Sequence, residues 1–254
     1  VLHAGLYYEP NTLKANVCVS GAKRLKAWIK ERNLPLNECG KLIIPTREDL
    51  DNQLDLLAKR GIDNGAKVEF WDQKQIKELV PDARCVTGRG IWSPNTCVTK
   101  PITVIEKLQN ELLQLGVKFL NTSIYWNIHK NENKILFSNN EIYYFDHFIN
   151  SAGLQADKVA QKFGIAAEFT LIPFKGVYYQ IRNESNLNIK TNLYPVPDLN
   201  LPFLGVHFTP SADEKPIVNI GPTASLAFGR ENYRGTESLN PLMTLNNISI
   251  LSSQ

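Results

Sequence analysis

Imidazoles can gain or lose a proton near neutral pH, and this chain has four histidines, at positions 3, 129, 147 and 207. His207 lies in an alternating stretch with Val206 and Phe208 turned to the opposite face. A histidine so placed can act as a general base and take the proton of a hydroxyl group. The alternative is a histidine that only hydrogen-bonds within a sheet. His129 and His147 fall in polar, strand-edge contexts and carry no such expectation. Two lysines are candidates for holding a carboxylate: Lys175, between Phe174 and Gly176, and Lys41, at the head of a short apolar strand. Each would act as a point charge, where an arginine would offer a two-pronged fork. A dicarboxylate needs two anchors, which these lysines could provide with help from Tyr8 and Tyr194. Solvation at the surface is the competing expectation, for Lys41 at least as strongly. Cys18, Cys39, Cys85 and Cys97 include no CxxC pair and share no metal-ligand spacing with a histidine. They are expected as reduced thiols, and no metal site is expected.

These side chains must be positioned by regular elements. Apolar spacing predicts a helix from Thr12 to about Asn33, a strand over Lys41 to Ile44, and a second amphipathic helix from Arg47 to about Asn64. A strand over Val68 to Trp71 and a short helix over Gln73 to Val80, stopped by Pro81, complete a strand-helix-strand-helix unit. Thr99 is expected to cap a helix opened by Pro101 and ended by Gly116. Val117 to His129 reads as a strand, Asn139-Asn140 as a tight primed turn between two strands, and His147 to Ser151 as a buried strand before a short helix from Asp157, itself a candidate cap. From Glu168 onward the pattern changes to extended segments over 177–182, 192–196, 204–209 and 217–220, expected as antiparallel sheet. The last thirty residues show little pattern. The fold class expected is α/β plus α+β, with at least two sheets.

Composition excludes several function classes. Hydrophobic residues make up 43% and charged residues 21% of 254, the balance of a globular protein able to bury a sizeable core without disulfide or metal staples. The net charge is +3 and the basic residues are scattered, so no nucleic-acid footprint is expected. No apolar run approaches the roughly 20 residues of a membrane span, and no signal peptide is visible. A cytoplasmic location is the default expectation. The chain begins at Val1 and Met243 is its single methionine, which suggests a sequence starting mid-protein, a processed product or a cloned segment.

Eight strings carry a further signal when taken in order: His3-Ala4-Gly5-Leu6-Tyr7-Tyr8, Leu13-Lys14-Ala15, Cys39-Gly40-Lys41-Leu42, Asn150-Ser151-Ala152-Gly153, Pro173-Phe174-Lys175-Gly176, Tyr194-Pro195-Val196-Pro197-Asp198, Phe203-Leu204-Gly205-Val206-His207-Phe208-Thr209 and Gly221-Pro222-Thr223-Ala224. In this order they resemble the L-2-hydroxyglutarate oxidase and dehydrogenase family, part of the FAD-dependent group that includes D-amino-acid and sarcosine oxidases. The resemblance runs over essentially the whole chain. It implies a partial Rossmann-like FAD-binding domain (1–38 and 97–164) interleaved with an antiparallel-sheet substrate domain (39–96 and 165–254). It also implies FAD as cofactor, a small 2-hydroxy acid as substrate, and oxidation of L-2-hydroxyglutarate to 2-oxoglutarate by hydride transfer to the flavin. Oxygen or a membrane quinone would be the later acceptor, with peripheral contact to the inner membrane left open. His3, Ala4 and Gly5 would lie beside the flavin ring, with His3 a second catalytic candidate after His207. Ser151, Ala152 and Gly153 would meet the cofactor's backbone.

One departure matters. Such enzymes open with a strand, a GxGxxG turn and a helix that hold the pyrophosphate, and no GxGxxG occurs in this chain. The pattern predicts an N- and C-terminally incomplete piece of an enzyme. The alternatives are an FAD-dependent oxidase of another small hydroxy or amino acid, or a non-catalytic remnant without the dinucleotide-binding loop.

Overall fold

A computed structural model describes residues 1–120, 126–182, 184–198, 205–215 and 217–252. The chain divides into two compact units, Val1–Val117 with Gly176–Thr223, and Lys118–Lys175 with Ala224–Gln254.

The first unit opens with a segment bridged at Leu2 to Cys97, followed by helix α1 (Leu13–Glu31). Thr12 caps α1, its Oγ1 accepting from the Ala15 amide at 3.2 Å. At the other end Asn33 takes a left-handed φ of 51°. The Leu34 amide donates back to Ile29 and the Asn33 amide to Lys30, a Schellman closure that satisfies two terminal carbonyls. Then come β1 (Leu36–Asn37), β2 (Lys41–Ile44) and α2 (Asn52–Asp63), the last entered through a 3-10 turn at Glu48–Leu50. Next are β3 (Glu69–Asp72), α3 (Gln73–Leu79), β4 (Arg89–Ser93) and β5 (Val98–Thr99). Asp72 and Gln75 form a reciprocal capping box at the start of α3.

Helix α4 (Pro101–Gln114) opens at Pro101 as expected, but its cap lies one residue later than Thr99. Thr99 belongs to β5 and its hydroxyl donates to the Pro35 carbonyl at 2.9 Å. Lys100 is the N-cap residue, without a side-chain bond. Pro101 requires the residue before it to be extended, and Lys100, at φ −93° and ψ 102°, meets that requirement.

A seven-stranded sheet organises this unit, in the order β3-β4-β2-β10-β11-β12-β9, with β9 (Phe174–Gln180), β10 (Asn192–Pro195), β11 (His207–Pro210) and β12 (Val218–Leu226). The expected antiparallel character holds for β3/β4, β4/β2, β10/β11 and β11/β12, while β10 runs parallel to β2. Alternation along β2 separates two cores. Ile43 packs with Leu54, Leu57 and Ala58 of α2 on one face. Leu42 and Ile44 pack with Ile76, Val80 and Ala83 on the other.

The second unit holds a three-stranded antiparallel sheet, β6 (Trp126–His129), β7 (Lys134–Phe137) and β8 (Ile142–Tyr144), with helices α5 (Ala156–Lys162) and α6 (Pro241–Ser252). The β7–β8 turn is not the two-residue primed type. Only Asn140 has positive φ, its amide donates to Phe137, and the Phe137 amide donates to Glu141. That is a three-residue loop with one left-handed position. Residues 121–125 of the strand expected from Val117, and Leu204 of the strand expected to start there, lie outside the described residues. His147 to Ser151 forms no strand, and Ile149 is 85% exposed. An apolar run becomes a strand only where a neighbour pairs with its backbone, and no described segment does so here. Conversely, α6 forms in the stretch without apolar period, because Asn240 caps it through the Met243 amide at 3.0 Å and Pro241 occupies its first turn.

Candidate active site

The register of the first unit's sheet assembles three of the expected residues, Lys41, Tyr194 and His207. In the parallel pair, Lys41 aligns with Asn192 and Ile43 with Tyr194, which sets Lys41 and Tyr194 on one face. Antiparallel pairing of Leu193 with Phe208 places Tyr194 across from His207, and their rings stack at 3.9 Å between centroids and 18° between planes. The N-terminal segment adds His3 and Tyr7. Lys41 Nζ lies 2.8 Å from His3 Nδ1 and over the rings of Tyr7 and Tyr194, at 4.7 and 4.4 Å. His3 meets both tyrosine rings edge-on.

Burial sets the charges. Lys41 is only 1% exposed, which removes the expectation of a solvated surface lysine. Desolvation lowers its pKa to about 7, against a small opposing effect of Cys18. Burial, together with Lys41, the Val1 amino group and His207, lowers His3 to about 3. His3 is therefore neutral at physiological pH. His207 is also held low by burial and by Lys41, against the raising effect of its hydrogen bond to Gly205. Burial pushes the Tyr7 hydroxyl upward, with Tyr194 adding to the effect.

The hydrogen bonds decide which ring nitrogen can react. His207 Nδ1 lies 3.0 Å from the Gly205 carbonyl. A carbonyl only accepts, so the proton of neutral His207 is on Nδ1 and Nε2 presents a lone pair. When Lys41 is charged it can only donate, so His3 Nδ1 accepts and His3 carries its proton on Nε2. The cluster thus holds one imidazole ready to receive a proton and one ready to donate a hydrogen bond. No group of three or more His, Cys, Asp or Glu side chains among the described residues could hold a metal.

Tyr7 was not anticipated and Tyr8 was. Tyr8 turns toward Lys14, whose Nζ is 5.0 Å from its ring. Tyr7 is in the cluster, and its buried hydroxyl has no hydrogen-bond partner. The repeated Tyr-Tyr was the available signal, but sequence gives no reason to prefer the first over the second. Ala4 is buried in the α2-side core. Gly5 has φ 94°, and a Cβ on it would stand 2.6 Å from Val19 Cγ2. Packing within this unit therefore accounts for the small size of both residues.

The remaining expected residues belong to the second unit. Lys175 is half-buried, with Nζ 3.4 Å from Asn232 Oδ1. Ser151, Ala152 and Gly153 are exposed. A Cβ on Gly153, at φ 51°, would meet nothing within 4 Å, so this backbone fits the close approach of an extended group such as FAD. Asp157 is not the cap of α5, which is Gln155. Its carboxylate pairs in two-pronged fashion with Arg230, at 2.6 and 2.5 Å.

Residues 1–244 match the family described as FAD dependent oxidoreductase. The chain is 34% identical over 265 residues to a mitochondrial L-2-hydroxyglutarate dehydrogenase of Caenorhabditis briggsae, covering all of this chain and 59% of that protein. It is 36% identical over 240 residues to an L-2-hydroxyglutarate dehydrogenase of Indibacter alkaliphilus, covering 93% of this chain and 59% of that protein. The chain thus spans between half and two thirds of the length of these curated relatives. Among solved structures, an L-alpha-glycerophosphate oxidase of Mycoplasma pneumoniae with FAD bound superposes with a TM-score of 0.75 at 22% identity, covering 98% of this chain and 66% of that one. A glycine oxidase of Geobacillus kaustophilus superposes at 0.69 with 15% identity, covering 99% and 65%. These likenesses show the fold, and with the match over residues 1–244 they establish that the chain belongs to the FAD dependent oxidoreductase family.

Proposed function

We propose that this chain is the substrate-oxidising part of an FAD-dependent enzyme that converts L-2-hydroxyglutarate to 2-oxoglutarate. The observation that carries the proposal is the fixed tautomer of His207, a neutral base close to Lys41 with no Asp or Glu of the described residues in the cluster. Oxidising an alcohol to a ketone removes a proton from oxygen and a hydride from carbon. FAD, when bound, supplies the hydride acceptor. His207 Nε2 takes the hydroxyl proton, and its stacking on Tyr194 holds the ring in place. Lys41, when protonated, gives this face of the sheet a positive charge suited to the acid's carboxylate, and neutral His3 adds an N–H donor. Buried charge acts strongly there because little water screens it.

The roles of Ala4, Gly5, Ser151, Ala152 and Gly153 against FAD rest on the resemblance of the residue strings, and those of Lys175 and Tyr8 on a dicarboxylate's need for a second anchor. Identity above 30% to dehydrogenases named for L-2-hydroxyglutarate supports the substrate. Oxygen or a membrane quinone receives the electrons in this scheme. No helix among the described residues is long and apolar enough to cross a membrane. The test is anaerobic addition of L-2-hydroxyglutarate to the full-length, FAD-loaded protein. Bleaching of the flavin's visible absorbance is expected. Bleaching only by a different hydroxy or amino acid would overturn the substrate, and failure with all of them would overturn the enzyme.

A further inference from the structure

Lys41 is the residue this function leaves least explained. At 1% exposure its ammonium is walled in by Tyr7, Tyr194 and His3 and cannot reach a ligand arriving from solvent. His3 is half-buried, and its Nε2 has no partner among the described residues. Several ionisable groups face Lys41. The N-terminal segment contributes His3, Tyr7 and the Val1 amino group; α1 contributes Cys18, β10 Tyr194 and β11 His207. None is an acid of the Asp or Glu type, so the ammonium has no built-in counter-charge.

The 2.8 Å contact links the two side chains as a proton-dependent pair. A charged ammonium can only donate, which keeps the imidazole proton on Nε2 and makes that nitrogen a donor. A neutral amine can accept, so the ring proton can move to Nδ1 and leave a lone pair at Nε2. The first form attracts a carboxylate and the second repels it. We propose that Lys41 is a positioning residue acting through His3: protonated, it makes His3 Nε2 a donor toward the ligand's carboxylate, so that binding one carboxylate draws one proton from solvent onto Lys41. The ligand identity rests on the function proposed above; the coupling between anion and proton does not. Desolvation, which holds Lys41 down to about 7, places the exchange where either form is accessible.

The test is calorimetry of glutarate binding, a dicarboxylate without the reacting hydroxyl, to the full-length FAD-loaded protein in buffers of differing ionisation enthalpy. At about pH 8 the uptake of close to one proton per glutarate is expected, and at about pH 6 almost none. Kd should weaken roughly tenfold per pH unit above about 7. Lys41→Met should bind glutarate more weakly, with no uptake and a flat pH profile. His3→Gln keeps an amide donor but breaks the relay, so binding without uptake is expected. Binding by the unaltered protein without proton uptake, or uptake that persists in Lys41→Met, would overturn the coupling and leave the proposed function standing. Absence of glutarate binding at every pH would overturn both.

Discussion

His207 and His3 show how two chemically identical side chains acquire opposite roles from one hydrogen bond each. The Gly205 carbonyl leaves His207 a lone pair at Nε2, and the charged Lys41 leaves His3 a proton there. His207→Asn removes the proposed base while keeping a polar side chain. It is expected to slow flavin reduction by on the order of 10² to 10⁴-fold with little change in substrate affinity, measured by anaerobic stopped-flow absorbance. A parallel loss of affinity and rate would instead assign His207 to binding. Tyr7 gives a contrasting case. Its buried hydroxyl makes no hydrogen bond, so Tyr7→Phe removes an unsatisfied group rather than a contact. Thermal unfolding should show unchanged or raised stability, by up to about 1 kcal/mol. A clear loss would mean the hydroxyl has a partner.

At the level of elements, strand β2 carries a cost at its first residue. Lys41 has a folded value of about 7 against an ordinary 10.5, so between these the folded chain binds fewer protons than the unfolded one. Stability then rises with pH across that window, and the cost of burying Lys41 is full below about 7. Lys41→Met should therefore stabilise by about 1–4 kcal/mol near neutrality, with the gain vanishing toward the unfolded value. Denaturant unfolding at several pH values checks this, and a gain independent of pH would contradict it. The sign reverses at α5. The hydrogen bond from Arg230 holds Asp157 below the usual carboxylate range, so this pair stabilises above the unfolded value of 3.8 and the benefit disappears as pH falls through the lowered one. Both side chains are 11% exposed. Asp157→Ala, which leaves the half-buried Arg230 guanidinium only the Leu154 carbonyl, should cost about 1.5–3 kcal/mol, seen as early melting. A loss under about 1 kcal/mol would place the pair with ordinary surface bridges.

For the molecule as a whole, helix α4 is the feature that most affects behaviour in solution. None of its residues is buried, and Ile102, Ile105 and Leu108 are 56%, 59% and 42% exposed. Apolar stripes of this kind drive association. The 254-residue chain expressed alone should elute as larger than a monomer, and Ile102→Glu with Ile105→Glu should shift it toward monomer without loss of helix content. Monomeric elution of the unaltered chain would show that the stripe is covered.

Much of this was legible in sequence wherever the physics is local. Helices expected from Thr12, Gln73 and Pro101 depend on bonds or constraints reaching three or four residues, and the structure begins helices at Leu13, Gln73 and Pro101. Alternation correctly put His207 on the face opposite Phe208, and the eight strings identified the family. Tertiary structure decided what depends on distant packing. Whether Tyr7 or Tyr8 enters the cluster is set by how the N-terminal segment lies against β2 and α2. Whether Lys41 is solvated or sealed depends on rings from Tyr7 and Tyr194. The sequence alone determined which residues were able to do chemistry; only the fold decided which of them share a dry space, because burial is conferred by residues far away along the chain.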